Sequence, residues 1–330
     1  MNELALAAFA AKTGEHVVKE PRERRFERFR RSFDAGGYLE SLAARGFRFV
    51  GRSDTEYPPL LRELHDPPPG LFLRGAGGAE LLRRPAVAIV GARACSSYGA
   101  QVARLLGREL ASAGLVVLSG LARGVDAEAH RGALEAGGLT VAILGCGVDR
   151  DYPAAHAQLA RHVCERGVVA SEYAPGVEPA PWRFPARNRI VAGLAAAAVI
   201  VEARERSGAL ITADFALETG REVFAVPGEI TSSLSAGTNA LLRLGATPLT
   251  SSGDVLEALG IVPVDAAPIQ LGEHATAVLA ELANEPAGAD QLIRDTGLDA
   301  PAVATALAEL ELAGAVAEAE GLYRGLRPPG

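Results

Sequence analysis

Three small-residue loops in this sequence carry groups that can grip a phosphate. The first reads Gly91-Ala92-Arg93 and continues through Ser96, Ser97, Tyr98 and Gly99. The second, Ser119-Gly120-Leu121-Ala122-Arg123-Gly124-Val125-Asp126, sets two glycines around an arginine. The third runs from Glu202 through Arg206, Ser207, Gly208 and Ala209 to Thr212. At the start of a helix such a loop aims backbone N–H groups at an anion, and a guanidinium adds a planar, bidentate partner. A fourth stretch, residues 180–189 (APWRFPARNR), interleaves Trp182 and Phe184 with Arg183, Arg187, Asn188 and Arg189. Alternating rings and guanidiniums are what single-stranded nucleic acid needs: cations along the backbone and flat platforms for unpaired bases, each stack contributing roughly 1–3 kcal/mol. Taken singly, each loop has a simpler explanation, since glycines after strands relieve sterics, Trp182 and Phe184 could cap a core and arginines solvate loops. Their gathering on one edge favours the ligand.

Gathering them requires a sheet. Short apolar runs at 86–90, 115–118, 140–144, 168–170, 197–201 and 223–226 alternate with helical patterns, which predicts repeated βαβ units and a doubly wound, mostly parallel sheet of Rossmann-like type. In such sheets ligands bind beyond the carboxyl ends of the strands, where the strand order reverses, and the loops above follow those ends. Residues 1–80 read as a small helical segment, with an Arg-dense stretch from Arg22 to Arg31, leading into proline-rich turns at 57–59 and 66–70. The Rossmann-like domain is expected over 81–262, a linker over 263–268, and a last block over 269–330 with helices near 273–282, 288–296 and 300–313 and a hairpin around Gly321, the pattern of a winged helix.

Composition narrows the chemistry. The chain has 330 residues with 33 basic and 40 acidic side chains, a net charge of −7. From residue 269 onward three arginines face ten acids, so the excess acidity lies in the tail, and a winged helix of that sign repels a duplex backbone. It is expected to contact protein, or itself, with duplex DNA bound weakly at most. No apolar run is long enough to span a bilayer, and Cys95, Cys146 and Cys164 have no paired spacing, so a cytoplasmic protein without disulfide or zinc cluster is expected. Gly91 does not open a GxGxxG and there is no GK[ST], so neither a dinucleotide nor a P-loop is indicated. No cofactor or metal is expected: Asp126 and His130 share a helix face without a third ligand. Glu172 and Glu202 could pair as catalytic carboxylates, though acids in such loops more often brace arginines, and binding without bond-making is the reading adopted.

The sequence resembles the DNA-processing protein A (DprA, or Smf) family of bacterial transformation. The resemblance rests on Tyr57-Pro58 with Asp66-Pro67-Pro68, on 87–99 and 119–130, and on Leu144 to Asp149 with Tyr152-Pro153. It continues through Ser171-Glu172, Phe184-Pro185-Ala186-Arg187-Asn188-Arg189-Ile190, 207–213, Pro227-Gly228 and 237–246. It implies an extended Rossmann domain that binds single-stranded DNA, dimerises, and delivers the recombinase RecA onto the strand without catalytic turnover. Carried over by motif, Arg93 and the amides near Ser119, Gly120 and Gly124 would hold phosphates; Gly91, Ser96, Arg123, Ser207, Gly208 and Thr212 join that set on the loop pattern alone. By the same carry-over Phe184, Arg187, Asn188 and Arg189 would meet bases and backbone, while Trp182 as a stacking platform, with Arg183 beside it, is read from the loop's own residues. The dimer edge would include Asn239, Leu241, Leu242 and Leu244. Residues 1–50 do not show the family's usual helical module, and no lysine precedes the FPARNR motif, where Arg183 could substitute. The alternative is a Rossmann-type nucleoside monophosphate N-glycosidase, but its PGGxGT signature is replaced by Pro227-Gly228-Glu229-Ile230.

Overall fold

The computed structural model describes residues 2–14, 24–261, 271–283, 285–313, 315–319 and 321–325. Its contacts divide the chain into two units, Met1–Ile261 and Val262–Gly330. The first unit opens with helices α1 (Asn2–Thr13), α2 (Arg24–Ser32) and α3 (Ala35–Ala44), then β1 (Phe47–Gly51), the short α4 (Pro59–Arg62) and β2 (Gly70–Arg74). The repeating part follows: β3 (Ala86–Val90), α5 (Ser97–Ser112), β4 (Val116–Ser119), α6 (Val125–Glu135), β5 (Thr140–Ile143), α7 (Ala157–Arg166) and β6 (Val168–Ser171). After α8 (Arg183–Leu194) come β7 (Ala197–Ile200), α9 (Gly208–Glu218), β8 (Glu222–Ala225), α10 (Ala236–Arg243), β9 (Thr247–Pro248) and α11 (Ser252–Ala258).

These strands form one nine-stranded sheet in the order β1-β2-β6-β5-β4-β3-β7-β8-β9, parallel from β6 to β9 and antiparallel at β1 and β2. All residues of β3 to β7 are buried, as a parallel sheet covered on both faces demands. Strand alternation divides them between two cores. Ala88 and Val90 point toward α8, α9 and α10, whereas Val87 and Ile89 point toward α5, α6 and α11. The chain builds outward from β3 to β6 and then returns through α8 to lay β7 on the other side of β3, so the order reverses between β3 and β7.

The predicted Rossmann-like sheet is therefore present, and its six predicted strands correspond to β3 through β8. The first 80 residues differ from their reading as helices and turns, because β1 and β2 pair antiparallel with each other and β2 pairs with β6, extending the same sheet. Prolines 67–69 hid β2 by interrupting its approach; the run itself, GLFLR, is buried over its first four residues. The proline-rich turns act as a clamp, with Tyr57 fully buried and its hydroxyl donating to the Pro68 carbonyl at 2.9 Å.

The second unit has its own core. It contains α12 (Glu273–Leu282), α13 (Ala289–Thr296), α14 (Ala300–Leu312) and a hairpin of β10 (Val316–Ala319) with β11 (Leu322–Gly325), joined by a bridge from Ala287 to Tyr323. This is a winged helix. Gly297, left-handed at φ 69°, ends α13, and the Asp299 side chain caps α14 by accepting from the Ala302 amide at 2.9 Å. The expected linker at 263–268 lies outside the described residues. Among the described residues no helix is long and apolar enough to cross a membrane.

Candidate functional site

Where β3 and β7 run side by side, their following loops diverge and leave a cleft of about 220 Å³. Gly91 and Arg93 line it from the loop after β3, Gly120 from the loop after β4 and Asp126 from the start of α6, Phe184, Arg187 and Asn188 from α8, and Ser207, Gly208 and Thr212 from the start of α9. Four segments far apart in sequence thus meet on one rim. Ser96, Ser119, Arg123, Gly124, Trp182, Arg183 and Arg189 are not part of its wall.

The rim carries stacked rings and cations. The Phe184 ring stacks on Tyr152 with centroids 5.3 Å apart at 24°, and the guanidinium carbon of the exposed Arg93 lies 5.3 Å from the Phe184 centroid. Tyr152 was singled out only as part of the family resemblance; its role as the under-layer of Phe184 depends on two loops meeting, which no local signal announces. Beside this stack, Trp182 is 41% exposed and meets Tyr173 edge-on at 6.3 Å. The Arg183 guanidinium sits 4.9 Å from the Trp182 ring and 5.2 Å from the Tyr173 ring and donates to the Glu178 carbonyl. Arg183 is buried by these contacts, so it fixes the aromatic pair and is poorly placed to meet a phosphate itself.

Several predicted contacts turn inward. Ser119 is fully buried and its hydroxyl donates to the Ile89 carbonyl at 2.7 Å, tying β4 to β3. The Gly120 amide donates to Asp126 at 3.0 Å, while its carbonyl accepts from Arg187 at 2.9 Å. Arg187 also donates to the Ile143 carbonyl, and its Nε donates to Asn188 at 3.2 Å. Burial holds the Arg187 guanidinium below its ordinary pKa, opposed by Asp126, and the same burial raises the Asp126 carboxyl against the pull of Arg187. Arg189 is 2% exposed and makes a bidentate pair with Glu172 at 2.8 and 2.7 Å, with Asp66 accepting from its Nε at 3.1 Å. Burial works against its charge, and the Glu172 carboxylate outweighs that and raises its pKa. The two arginines of the FPARNR motif therefore lock α8 to neighbouring loops: Arg187 shows only an edge to the cleft, and Arg189 shows none.

The start of α5 is also occupied. Ser96 caps it by accepting from the Gly99 amide at 3.1 Å, and its own amide donates to Glu202 at 2.9 Å while its hydroxyl donates to the same carboxylate. Glu202 is a buried internal anion where a phosphate was expected. A Cβ on Gly99 would lie 2.4 Å from that carboxylate, so the glycine is there to admit it. Gly124, at φ 72°, is needed for another close approach: a Cβ there would sit 2.3 Å from the Ala92 carbonyl oxygen. By contrast the start of α9 stays open. Ser207 caps it by accepting from the Ala209 amide, Asn188 donates to the Gly208 carbonyl at 3.0 Å, and Gly208 is exposed with nothing within 4 Å of its Cβ position. Arg123 is exposed just before α6.

Asp126 and His130 do not face each other. Thr140 Oγ1 donates to the Val117 carbonyl at 2.8 Å, which leaves it to accept from Nδ1 of the fully buried His130 at 2.7 Å, while Asp126 accepts from loop amides. Among the described residues no group of acids, histidines and cysteines could hold a metal ion. Of the expected dimer residues, Asn239 brackets Gly228, accepting from its amide at 3.3 Å and donating to its carbonyl at 3.0 Å. Leu241 and Leu242 pack into the core, and only Leu244, 84% exposed, projects from the end of α10.

With this geometry in hand, comparison with known proteins is decisive. A model of the family described as DNA recombination-mediator protein A matches residues 48–260. The chain belongs to that family. A second model, the DprA winged helix domain, matches residues 262–321. The chain is 46% identical to the DNA processing protein DprA of Streptococcus pneumoniae over 203 residues, 62% of this chain and 71% of that one. It is 40% identical to the protein Smf of Escherichia coli over 288 residues, covering 83% and 76%. Among solved structures, the DprA of S. pneumoniae superposes with a TM-score of 0.67 at 37% identity, covering 78% of this chain and 93% of that one. DNA processing protein A of Helicobacter pylori, described for its single-stranded DNA binding mode, gives 0.58 at 31% identity, covering 64% and 95%. The DprA resemblance read from the motifs is thus established, and the cleft lies within the span matched by the family model.

Proposed function

We propose that the β3/β7 cleft binds single-stranded DNA and that the protein is a recombination mediator without catalytic turnover. The observation that carries this is the convergence of Arg93, Phe184 and the open start of α9 on one rim. Arg93 and the Gly208 amide serve phosphates, and the Tyr152–Phe184 stack with Trp182 beyond it offers faces to unpaired bases. Arg123, exposed and next in sequence to the cleft-lining Ala122, adds charge nearby, while Ser96, Ser119, Gly120, Gly124, Arg183, Arg187 and Arg189 hold the loops in register. Nothing in this set reads base edges, so sequence preference is slight. Family membership and the single-strand-binding relative support the rest of the reading: the protein acts in the cytoplasm, protects incoming strands and delivers RecA onto them during natural transformation. It works as a homodimer through the α10 edge, where Leu244 and the 96% exposed Ile230 await a partner.

The test is fluorescence anisotropy with labelled single-stranded and duplex oligonucleotides across a salt series, followed by RecA strand exchange with and without the protein. Tight single-strand binding, weak duplex binding and faster exchange support the reading; equal affinity for both forms overturns it. The N-glycosidase reading would need a free carboxylate. Glu202 is instead tied twice to Ser96, and incubation with nucleoside monophosphates should release no base.

A further inference from the structure

Helix α2 holds five arginines and one glutamate in nine residues. Its apolar side is fixed by rings. Phe26 is fully buried and meets Phe9 of α1 edge-on at 5.3 Å, Phe29 lies 5.5 Å from Phe9, and Phe33 stacks on Phe29 at 5.3 Å. With that face anchored, Arg24, Arg28 and Arg31 fall at i, i+4 and i+7 on the outward side, and all three are exposed. Arg30 is engaged by Glu27 at 2.9 Å, so the single acid of the helix is already spent on a different residue. A rigid ridge of like charges held in one line is unfavourable by itself, and it is relieved by an anion that is also a line of charges.

The path from the cleft to this ridge is continuous within the first unit. Beyond Phe184 come Trp182 and Arg183, which rest on Tyr173. Tyr173 shares a hydrophobic cluster with Leu4 and Ala7 of α1, and α1 carries α2 through the Phe9 ring. We propose that the Arg24–Arg28–Arg31 ridge of α2 is a second phosphate-binding surface, which takes the backbone of the same DNA strand after it leaves the cleft past Trp182. This rests on the single-strand reading of the cleft and adds to it a length dependence: short strands fill the cleft alone, and longer ones also lie along α2. The recognition is of phosphate charge, so it carries no base preference.

The test compares the full chain with a variant carrying Arg24→Gln, Arg28→Gln and Arg31→Gln. These surface changes leave the aromatic anchor intact. Anisotropy is read across a salt series on two thymidylate oligomers, the shortest that the wild type binds and one several times longer. With about 0.7 counterions released per phosphate on a single strand, the variant's log–log slope on the long oligomer should flatten by roughly 2 units. On the short oligomer the two proteins should agree. Replacing the same three residues by lysine should restore the long-oligomer slope. An unchanged slope on the long oligomer, or an equal loss on both lengths, overturns the ridge while leaving the cleft reading intact. A wild type that binds no thymidylate oligomer of any length overturns the cleft reading, and the ridge proposal falls with it.

Discussion

The cleft of the first unit and helix α14 of the second are both built in shapes that nucleic-acid-binding proteins use, yet their surfaces carry opposite chemistry. At the cleft the exposed groups are Arg93, the Gly208 turn and aromatic faces. On α14, the third helix of a winged helix and the one such folds commonly set in a groove, the exposed positions are Ala300, Pro301, Ala304, Thr305, Ala308, Glu311 and the 91% exposed Leu312. No cation stands on that face. The difference teaches that the architecture supplies a platform and the outward residues decide its partner. The same holds inside the FPARNR motif: Arg187 and Arg189 bear the same guanidinium group as Arg93, but both are spent on carbonyls and a carboxylate.

The comparison can be broken or sharpened by substitution. The largest effect is expected where an inward arginine loses its partner. Glu172→Ala strips the buried Arg189 of its bidentate partner and leaves only the partly exposed Asp66 beside it, and urea unfolding should show a loss of about 3 kcal/mol. The next concerns acid. Burial, with neighbouring His156 and Arg187, lowers the pKa of His130 from 6.5 to about 3, so between those values the unfolded chain takes up a proton that the folded chain refuses. Stability of the first unit should therefore be full above pH 6.5 and decline as the pH falls toward 3, and His130→Gln should flatten that decline in acid-unfolding curves. A gain of function comes third: Ala304→Arg, Ala308→Arg and Leu312→Arg together should convert α14 into a duplex-binding face, steepening the salt slope on duplex DNA by roughly 2–3 units. The smallest effect is at the rim itself. Arg93→Ala should flatten the single-strand slope by about 0.7 unit, and an unchanged slope would remove Arg93 from the set of phosphate contacts.

Much of this was legible in the sequence. Apolar runs of three to five residues between helical patterns marked β3 through β8, because strands buried on both faces admit little else. Gly91, Arg93, Phe184, Asn188, Ser207 and Gly208 were placed on one rim because loops at the ends of parallel strands must face the same way. What stayed hidden was which way each side chain turns. Glu202 read as a loop acid and proved to be the anion at the start of α5, since its partner Ser96 lies more than a hundred residues away. Arg189 read as a nucleic-acid contact because a guanidinium looks the same in sequence whether it meets a phosphate or Glu172. β1 and β2 were missed because an antiparallel edge pair beside a proline-rich turn has too short a pattern to stand out.

The most direct test of the central claim is photo-crosslinking of a halogenated thymidylate oligomer to the full chain, with the linked peptides identified by mass spectrometry. Crosslinks at Tyr152, Trp182 or Phe184 are expected. Crosslinks confined to α14, with none around the cleft, would contradict the account.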